Sequence, residues 1–147
     1  MDAETLITRI GEHLGTGEWV EVGQDRIDAF ADATEDHQWI HQAGPRAEAG
    51  PFGGPIAHGF LTLSLLSHLV STLPPVAPDA AMALNYGLDK VRFITPVPAG
   101  ARLRASVVLA DVTPITNGVQ LTNAVTIEMD GSERPAAYVE SLVRLFG

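Results

Sequence analysis

The segment that most constrains the fold is an apolar stretch of eighteen residues, from His58 to Pro75. It reads HGFLTLSLLSHLVSTLPP, and no Asp, Glu, Lys or Arg lies between Gly59 and Leu73. Helices that are apolar on nearly every side are buried in the core of a domain. Pro74 and Pro75 would end such a helix, because proline has no backbone N–H to donate. The stretch therefore predicts a buried central helix around which the rest of the chain packs.

Four segments rich in Val, Ile, Leu and Thr follow this helix. They span residues 82–95, 101–112, 115–129 and 135–146, and turn-forming residues separate them at 96–100, 113–114 and 130–132. Strands joined by short turns favour an antiparallel meander. Together with the central helix, these strands predict an α+β domain whose antiparallel sheet wraps around that long helix.

The part of the chain before the central helix is less regular. Apolar residues at helical spacing predict a first helix over residues 2–14 and a second over 25–33, with a short strand at 18–22 between them. Glycine and proline then punctuate residues 34–57, so we predict a long ordered loop with one helical turn at 45–48. A loop of this length in a compact domain is usually functional.

Length and composition limit the classes of protein to consider. The 147 residues form one domain, 1–147, with a formal charge of −9 and no basic run, which disfavours nucleic acid as a partner. No apolar run reaches the length of a membrane span, and the acidic start resembles neither a signal nor a transit peptide. Cysteine is absent, so we expect no disulfides or thiolate chemistry and a cytoplasmic location.

The long loop contains a dense polar cluster, EDHQWIH, from Glu35 to His41. On a continuous helix Asp36 and His41 would point about 140° apart, but on an irregular loop they can converge. A carboxylate beside an imidazole fixes its tautomer and leaves the second nitrogen as an acid or base near neutral pH. The amide of Gln38 could orient a bound water. A polar, solvated turn explains the same residues equally well.

A metal site is a further interpretation of this cluster. His37 and His41 lie four positions apart, a familiar spacing for two zinc ligands on a helix. However, the chain has neither an HExxH motif nor a cysteine, and the remaining histidines lie in unrelated contexts. We therefore expect no metal.

A second element is the start of the central helix, PIAHGF, from Pro55 to Phe60. A helix N-terminus presents unpaired N–H groups and favours negative charge. Gly59 has no side chain to obstruct a ligand, so this helix start could serve as an oxyanion hole for a thioester carbonyl. Alternatively, Gly59 only relieves crowding. We expect His58 to be a structural hydrogen-bond partner, and His68 to be a core or interface residue.

Taken together, the two elements resemble a known family. The stretch FADATEDHQWIHQAGPRAEAGPFGGPIAHGFLTLSLL is similar to the MaoC-like dehydratases, (R)-specific enoyl-CoA hydratases of hot-dog fold, and especially to their NodN-like subgroup. That family carries Asp-x-Asn-Pro-aliphatic-His, a small residue six positions later, and Ala-His-Gly at the start of the central helix. The matching positions are Asp36, Gln38, Ile40, His41, Ala47 and the triplet Ala57, His58 and Gly59. Residues 85–100 resemble the following strand and turn, so the resemblance extends from about Phe30 to the end.

Three positions depart from the family motif. Glu35 replaces the usual Gly before the Asp, Gln38 replaces Asn, and Trp39 replaces Pro. Because Gln is longer than Asn, its water-orienting role carries over less securely than the roles of Asp36 and His41. Trp39 would reshape the wall of the loop and influence which acyl chains fit.

The resemblance implies a reaction and a set of roles. The reaction is the reversible syn addition of water to trans-2-enoyl-CoA, which gives (R)-3-hydroxyacyl-CoA without a metal or organic cofactor. Asp36 and His41 would bind the water, one as base and one as proton donor, while Gln38 holds Asp36 or the water. The N–H of Gly59 would stabilise the enolate oxygen. The residues expected to contact the substrate are Trp39, Ala57, His58, Phe60, Tyr86, Gly87 and Arg92.

The resemblance also implies a homodimer, in which two sheets join edge to edge, with an acyl-CoA as the substrate. We expect the acyl chain to enter between the central helix and residues 42–56. The candidates for contacting the CoA phosphates are Lys90, Arg92, Arg102 and Arg104. The alternatives are a thioesterase, a dehydratase acting on an acyl-carrier-protein substrate, and a non-catalytic acyl-binding subunit on the same fold.

Overall fold

In the computed structural model, which describes residues 2–147, a six-stranded antiparallel sheet packs against one long helical segment. The helices are α1 (Ala3–Ile7), α2 (Gln24–Thr34), α3 (Pro45–Glu48), α4 (Gly59–Ser64) and α5 (Leu66–Ser71), with a 3₁₀ turn at Trp39–His41. The strands are β1 (His13–Thr16), β2 (Val20–Val22), β3 (Met82–Phe93), β4 (Ala101–Ile115), β5 (Gly118–Met129) and β6 (Ala137–Phe146). Within residues 2–147, no helix is long and apolar enough to cross a membrane.

The predicted central helix is confirmed as α4 and α5 together. Leu65, between them, keeps right-handed helical angles, and its N–H donates to the carbonyl of Leu61 at 3.0 Å. Every fourth residue of this segment is a buried leucine, which forms one apolar stripe along the helix. These leucines are Leu61, Leu65, Leu69 and Leu73, and all four belong to the main hydrophobic core.

The prediction that this helix is buried on every side is wrong for the single chain. The exposed positions are Phe60, Ser64, Ser67, His68 and Ser71, and Phe60 is 69% exposed. The sheet covers only the leucine side, and no other element within residues 2–147 covers the opposite side. His68, expected in a core or an interface, therefore lies exposed on the uncovered side.

The sheet is only partly the predicted meander. Its strand order is β1-β4-β5-β6-β3, with β2 also pairing with β4, so β4 to β6 are consecutive neighbours as predicted. Strand β3 instead pairs with β6 at the far edge. Residues 94–100 are therefore a crossover connection and not a hairpin turn. Pro96 and Pro98, which lack N–H donors, suit a connecting segment better than a strand ladder.

Two further predictions need correction. The first helix ends at Ile7 and not at residue 14, because Gly11 takes a φ of 90° and the chain then enters β1, which pairs with β4. The hairpin between β4 and β5 turns beyond Pro114, where Asn117 adopts a φ of 61° that asparagine tolerates better than most residues. Because β1 precedes β2, two strands and not one lie before the central helix.

Other predictions before the central helix are confirmed. The second helix is α2, and the helical turn in the long loop is α3, with the predicted bounds Pro45–Glu48. The loop is held by backbone hydrogen bonds: the N–H of Ile56 donates to Ile40 at 2.9 Å, and the N–H of Ala57 donates to Val97 at 2.8 Å. The crossover connection therefore anchors the end of the loop where the central helix begins.

A substitution at Glu35 tests the cost of the left-handed backbone conformation at the end of α2. Glu35 has a φ of 60° and a ψ of 25°, a left-handed conformation that disfavours residues with a Cβ by about 1–2 kcal/mol. We expect Glu35→Gly to raise the free energy of unfolding by about 1 kcal/mol, with glycine's greater unfolded-state entropy offsetting part of the gain. Urea unfolding followed by circular dichroism measures this change.

Ala29→Gly, at an exposed position inside α2, is the matched control. It should lower the free energy of unfolding by about 1 kcal/mol, because glycine is a poor helix former. A loss of stability in both variants would contradict the argument from the left-handed backbone.

Candidate active site

Asp36 lies just beyond the left-handed turn that ends α2. Its side chain is exposed, and its Oδ1 accepts a hydrogen bond from the N–H of Gln38 at 3.4 Å. This local bond is typical of an Asx turn. Glu35 occupies the left-handed position immediately before it, which explains why glycine suits that position in the motif.

His41 is held rigidly in the 3₁₀ turn and is only 6% exposed. Its Nδ1 lies 2.7 Å from the carbonyl oxygen of Ile56. Because a carbonyl only accepts, the proton lies on Nδ1, and Nε2 carries a lone pair. The side-chain amide of Gln24 donates to the backbone carbonyl of His41 at 2.8 Å. Both the ring and the backbone of His41 are thus fixed, with Nε2 left available as a base.

His58 packs directly on His41. The two rings are stacked with centroids 3.7 Å apart and planes 23° apart, and Phe30 contacts the His58 ring at 4.9 Å. His58 is 2% exposed, and its Nε2–H donates to the backbone carbonyl of Asp36 at 3.0 Å. Its Nδ1 is buried without a hydrogen-bond partner among residues 2–147. His58 therefore connects the backbone of Asp36 to the ring of His41.

The structure brings Asp36 and His41 together, although they are separated by four residues in an irregular loop. Asp36, His41 and His58 each offer one atom that could bind a metal ion, a carboxylate oxygen or a ring nitrogen. These three atoms lie within 4.8 Å of one another. Such a set raises the question of a metal ion. Imidazole lone pairs lie in the ring plane, so two nearly parallel stacked rings do not direct both lone pairs at one ion. The geometry suits proton transfer better than metal binding.

His37 and Gln38 stay outside this group of three. The Nε2 of His37 is 3.7 Å from a carboxylate oxygen of Asp32, and the residue is exposed. The side chain of Gln38 is exposed and makes no hydrogen bond to the described residues. Of the two cluster histidines, only His41 is placed for acid–base chemistry with Asp36.

Gly59 begins α4 directly after His58. A Cβ at this position would lie 3.0 Å from the ring of Phe93, which is tighter than ordinary van der Waals contact. Crowding therefore explains part of the requirement for glycine. The N–H of Gly59 has no hydrogen-bond partner among the described residues, so it is also available to an incoming oxygen. The two interpretations of Gly59 are compatible.

The other predicted substrate contacts fall into separate groups. Ala57 is buried beside the site, whereas Phe60 is exposed and lies edge-on to Phe93. Trp39, in the 3₁₀ turn, packs under the guanidinium of Arg46, which lies 4.5 Å from the ring centroid. Tyr86 and Gly87 line a cavity of about 250 Å³ further along the central helix.

The residues predicted to contact the CoA phosphates also lie in different surroundings. Arg102 and Arg104 pair with Asp130 and Glu128, and both guanidinium groups lie over the ring of Trp19. Lys90 lies 5.5 Å from the centroid of the Tyr138 ring. Arg92 is exposed, and within the described residues its side chain hydrogen-bonds only to the adjacent carbonyl of Val91.

Sequence reasoning missed a larger cavity of about 540 Å³. It lies between α5, residues 74–81 and the core face of the sheet, and most of its lining is apolar. Its polar lining residues are Ser67, Ser71, Asn85, Asn123 and Ser141, of which only Asn123 and Ser141 are buried residues of the sheet. Each of these two interrupts an otherwise apolar row of inward-facing residues, and that break in the strand alternation was the signal available in the sequence.

The fold is that of a hot-dog domain, in which Asp36 and His41 converge near the start of the central helix. Residues 5–129 match the family described as MaoC like domain, so the chain belongs to the MaoC-like dehydratase family. The fold is shared with the (R)-hydratase from A. caviae (TM-score 0.70, 24% identity, covering 91% of this chain and 96% of that one). It is also shared with a MaoC-like dehydratase from Rhodospirillum rubrum (TM-score 0.75, 21% identity, 93% and 92% covered).

Two relatives are considerably more similar in sequence. One, from Mycobacterium tuberculosis (strain ATCC 25618 / H37Rv), is named 3-hydroxyacyl-thioester dehydratase Z; it is 49% identical over 140 residues, covering 95% of this chain and 92% of the relative. The other is Nodulation protein N of Rhizobium leguminosarum bv. viciae, 49% identical over 131 residues, covering 88% and 81%. The similarity to both extends over most of each chain.

The hydrogen bond from His58 to Asp36 leads to a stability prediction. In His58→Phe the ring still fills the space beside His41, but the carbonyl of Asp36 loses its donor in a partly buried position. We expect the free energy of unfolding to fall by about 1 kcal/mol, because the cost of leaving this carbonyl unpaired is partly offset by removing the unpartnered Nδ1 of His58. His68→Phe, the same change at an exposed position, is the control and should be close to neutral in urea unfolding. Equal losses in the two variants would refute this role.

Proposed function

We propose that this protein is an (R)-specific enoyl-CoA hydratase that reversibly adds water to trans-2-enoyl-CoA to give (R)-3-hydroxyacyl-CoA. The observation that carries the proposal is the convergence of the Asp36 carboxylate with His41, within 4.8 Å. A relative that is 49% identical is named a 3-hydroxyacyl-thioester dehydratase, the reverse direction of the same type of reaction. That name supports a thioester substrate. It does not say whether the acyl group is carried by CoA or by an acyl-carrier protein.

The two side chains provide the means to bind and activate a water. The carboxylate of Asp36 and the Nε2 lone pair of His41 are both acceptors, so a water between them would direct its O–H bonds at them. One acceptor removes a proton as the water oxygen bonds to C3. A proton from the same pair then reaches C2 from the same face, so addition is syn. The hydroxyl ends on C3 and a hydrogen on C2, and the pair keeps its total number of protons.

The helix start supplies the third part of the proposed mechanism. As the oxygen adds to C3, negative charge develops on the thioester oxygen. His58 stacks on His41, and the next residue, Gly59, has a free N–H among the described residues, which supports this N–H as the donor to the thioester oxygen. One such donor is worth about 10²–10³-fold in rate. A Cβ at Gly59 would crowd the ring of Phe93, which supports a close approach of the backbone that only glycine allows at this position.

The cavities along the central helix support a path for the acyl chain. The smaller cavity begins at Leu63, four residues or about 6 Å along the helix from Gly59. It shares Leu66, Ser67, Asn85 and Ser141 with the larger cavity, so the two adjoin; we propose that together they form one groove, here called the helix groove. We propose that the chain follows the helix groove, in place of the predicted route under residues 42–56.

The arginine side chains near the sheet restrict where the CoA part of the substrate can bind. Arg102 and Arg104 are already paired with carboxylates, so they are poorly placed to hold a phosphate. Arg92 is exposed and precedes Phe93, whose ring lies where a Cβ on Gly59 would meet it. We therefore propose that Arg92 contacts the phosphates of CoA near the mouth of the site.

Substitution of the acid–base pair tests the reaction. Asp36→Asn and His41→Gln should each lower turnover of crotonyl-CoA by at least about a hundredfold, the usual contribution of a general acid or base. The loss of the enoyl thioester absorbance measures hydration, and unfolding curves check that the variants are folded. His37→Gln, an exposed histidine of the same loop, is the matched control and should retain activity.

Two results would overturn this proposal. One is a near-normal rate in both Asp36→Asn and His41→Gln. The other is the release of free thiol by the wild-type protein, measured with Ellman reagent, at a rate equal to the loss of enoyl absorbance. Such thiol release would identify a thioesterase.

The edge of the sheet supports a homodimer. Strand β3 is an edge strand that is exposed along nearly its whole length. Exposed apolar edges of this kind are prone to pair with another strand, and a second copy of the chain offers the same edge. The large apolar side chains exposed on it are Met82, Leu84, Tyr86, Leu88 and Phe93. We propose that two copies pair through β3 and that the uncovered side of the central helix lies close to this contact.

Light scattering at micromolar concentration tests the dimer. We expect twice the mass of one chain for the wild type. Leu84→Lys should shift the mass towards that of a single chain, because it places a charge in the paired edge. Ile10→Lys, at an apolar position of similar exposure away from β3, should leave the dimer intact. A single-chain mass for the wild type would contradict the dimer.

A further inference from the structure

Two polar side chains interrupt the apolar core face of the sheet at the same level. The inward-facing residues of β5 on either side of Asn123 are all apolar, as are those of β6 on either side of Ser141. Asn123 and Ser141 are direct partners in the register between the two strands. Each is only 7% exposed. A polar pair in this position is costly unless it has hydrogen-bond partners.

Neither side chain hydrogen-bonds to another residue within 2–147. The Oδ1 of Asn123 is fully buried and unpartnered, whereas the hydroxyl of Ser141 is not among the fully buried atoms and lines the larger cavity. Leaving a buried polar group unpaired costs about 1–3 kcal/mol. The amide nitrogen of Asn123 and the hydroxyl of Ser141 are not among the fully buried atoms, so their partners can come from whatever occupies the adjoining space.

That space is the larger part of the helix groove. Asn123 and Ser141 line it from the sheet, and Ser67 lines it from the central helix. The hydroxyl of Ser67 accepts a hydrogen bond from the side-chain amide of Asn85 at 3.2 Å, so its own O–H remains free to donate. We name Ser67, Asn123 and Ser141 the polar belt. Above and below the polar belt the groove is lined by apolar side chains such as Leu66, Val70 and Leu121.

The position of the polar belt relates it to the reacting atoms. Ser67 follows Gly59 by eight residues of helix, which corresponds to about 12 Å along the helix axis. An acyl chain whose thioester lies at Gly59 would reach the polar belt with its distal part. The polar belt contains no charged side chain, and burying a charge without a counter-charge is far more costly than burying a neutral hydrogen-bonding group.

We infer that the acyl thioester this protein takes carries a neutral hydrogen-bonding group, a hydroxyl or a carbonyl, on the distal part of its chain. This inference rests on the proposed function for the placement of the thioester. Sites built to hydrogen-bond a hydroxyl discriminate strongly against analogues that lack it, because the site's own polar groups are then left unpaired. A plain alkyl chain would leave the side chains of Asn123 and Ser141 without a hydrogen-bond partner.

Binding of unreactive analogues tests the inference independently of turnover. Decanoyl-CoA and its omega-hydroxy derivative have no enoyl bond to hydrate, and their extended chains are about as long as the distance from Gly59 to the polar belt. By isothermal titration calorimetry, the wild-type protein should bind the hydroxylated analogue at least about tenfold more tightly. Ser141→Ala and Asn123→Leu should each reduce or abolish this preference.

The controls separate a local effect from loss of folding. Thr122→Val changes the outward-facing neighbour of Asn123 on the same strand and should keep the preference. Ser141→Ala is a mild change that keeps the test informative if Asn123→Leu does not fold. A series of analogues with the hydroxyl moved along a chain of constant length should show the tightest binding at one position.

Each outcome has a distinct meaning. Equal affinity of the two analogues for the wild type would indicate that the polar belt holds only water and would overturn the inference, as would no binding of either. A preference that survives both substitutions would also overturn it. If the preference is found but crotonyl-CoA is not hydrated, the inference stands and the proposed reaction fails. If crotonyl-CoA is hydrated but no preference is found, only the inference fails.

Discussion

The packing of one leucine row against one face of one sheet holds this structure together. Leu61, Leu65, Leu69 and Leu73 recur every fourth residue, so they form a single stripe that the inward-facing residues of β4, β5 and β6 can cover. Burial of this stripe sets the position of the central helix, and therefore the position of Gly59 at its start. The functional geometry depends on this contact, because the candidate active site is assembled around the end of the helix.

The site itself is held together mainly through backbone carbonyls. The rings of His41 and His58 donate to the carbonyls of Ile56 and Asp36, and the N–H of Ile56 donates to Ile40. Bonds to the backbone do not depend on the side chains at the accepting positions. This explains how the chain departs from the family motif at Glu35, Gln38 and Trp39 while the pairing of Asp36 with His41 is kept. The same bonds place His58, which is not an acid or base in the proposed reaction, at the centre of the site.

Different residues were predictable to different degrees. The strands β4 to β6 and the helical turn at Pro45–Glu48 follow from local patterns, and the structure confirms them. The first helix was overextended, because apolar spacing continues through Ile10 and Leu14 while Gly11 and the pairing with β4 end the helix earlier. The exposed side of the central helix was missed, because composition reports how apolar a segment is but not how many of its sides other elements cover.

The amino-acid sequence by itself determined the long apolar helix, the strands that follow it, and the presence of Asp36, His41 and Gly59 in a pattern that suits acid–base chemistry. These features follow from short-range periodicity and from the chemistry of single residues. Only the tertiary structure decided that β3 crosses to the far edge, that His58 stacks on His41, and that Asn123 and Ser141 meet in the helix groove. Each of these depends on which distant segments become neighbours, and strand order and register set that choice for the domain as a whole.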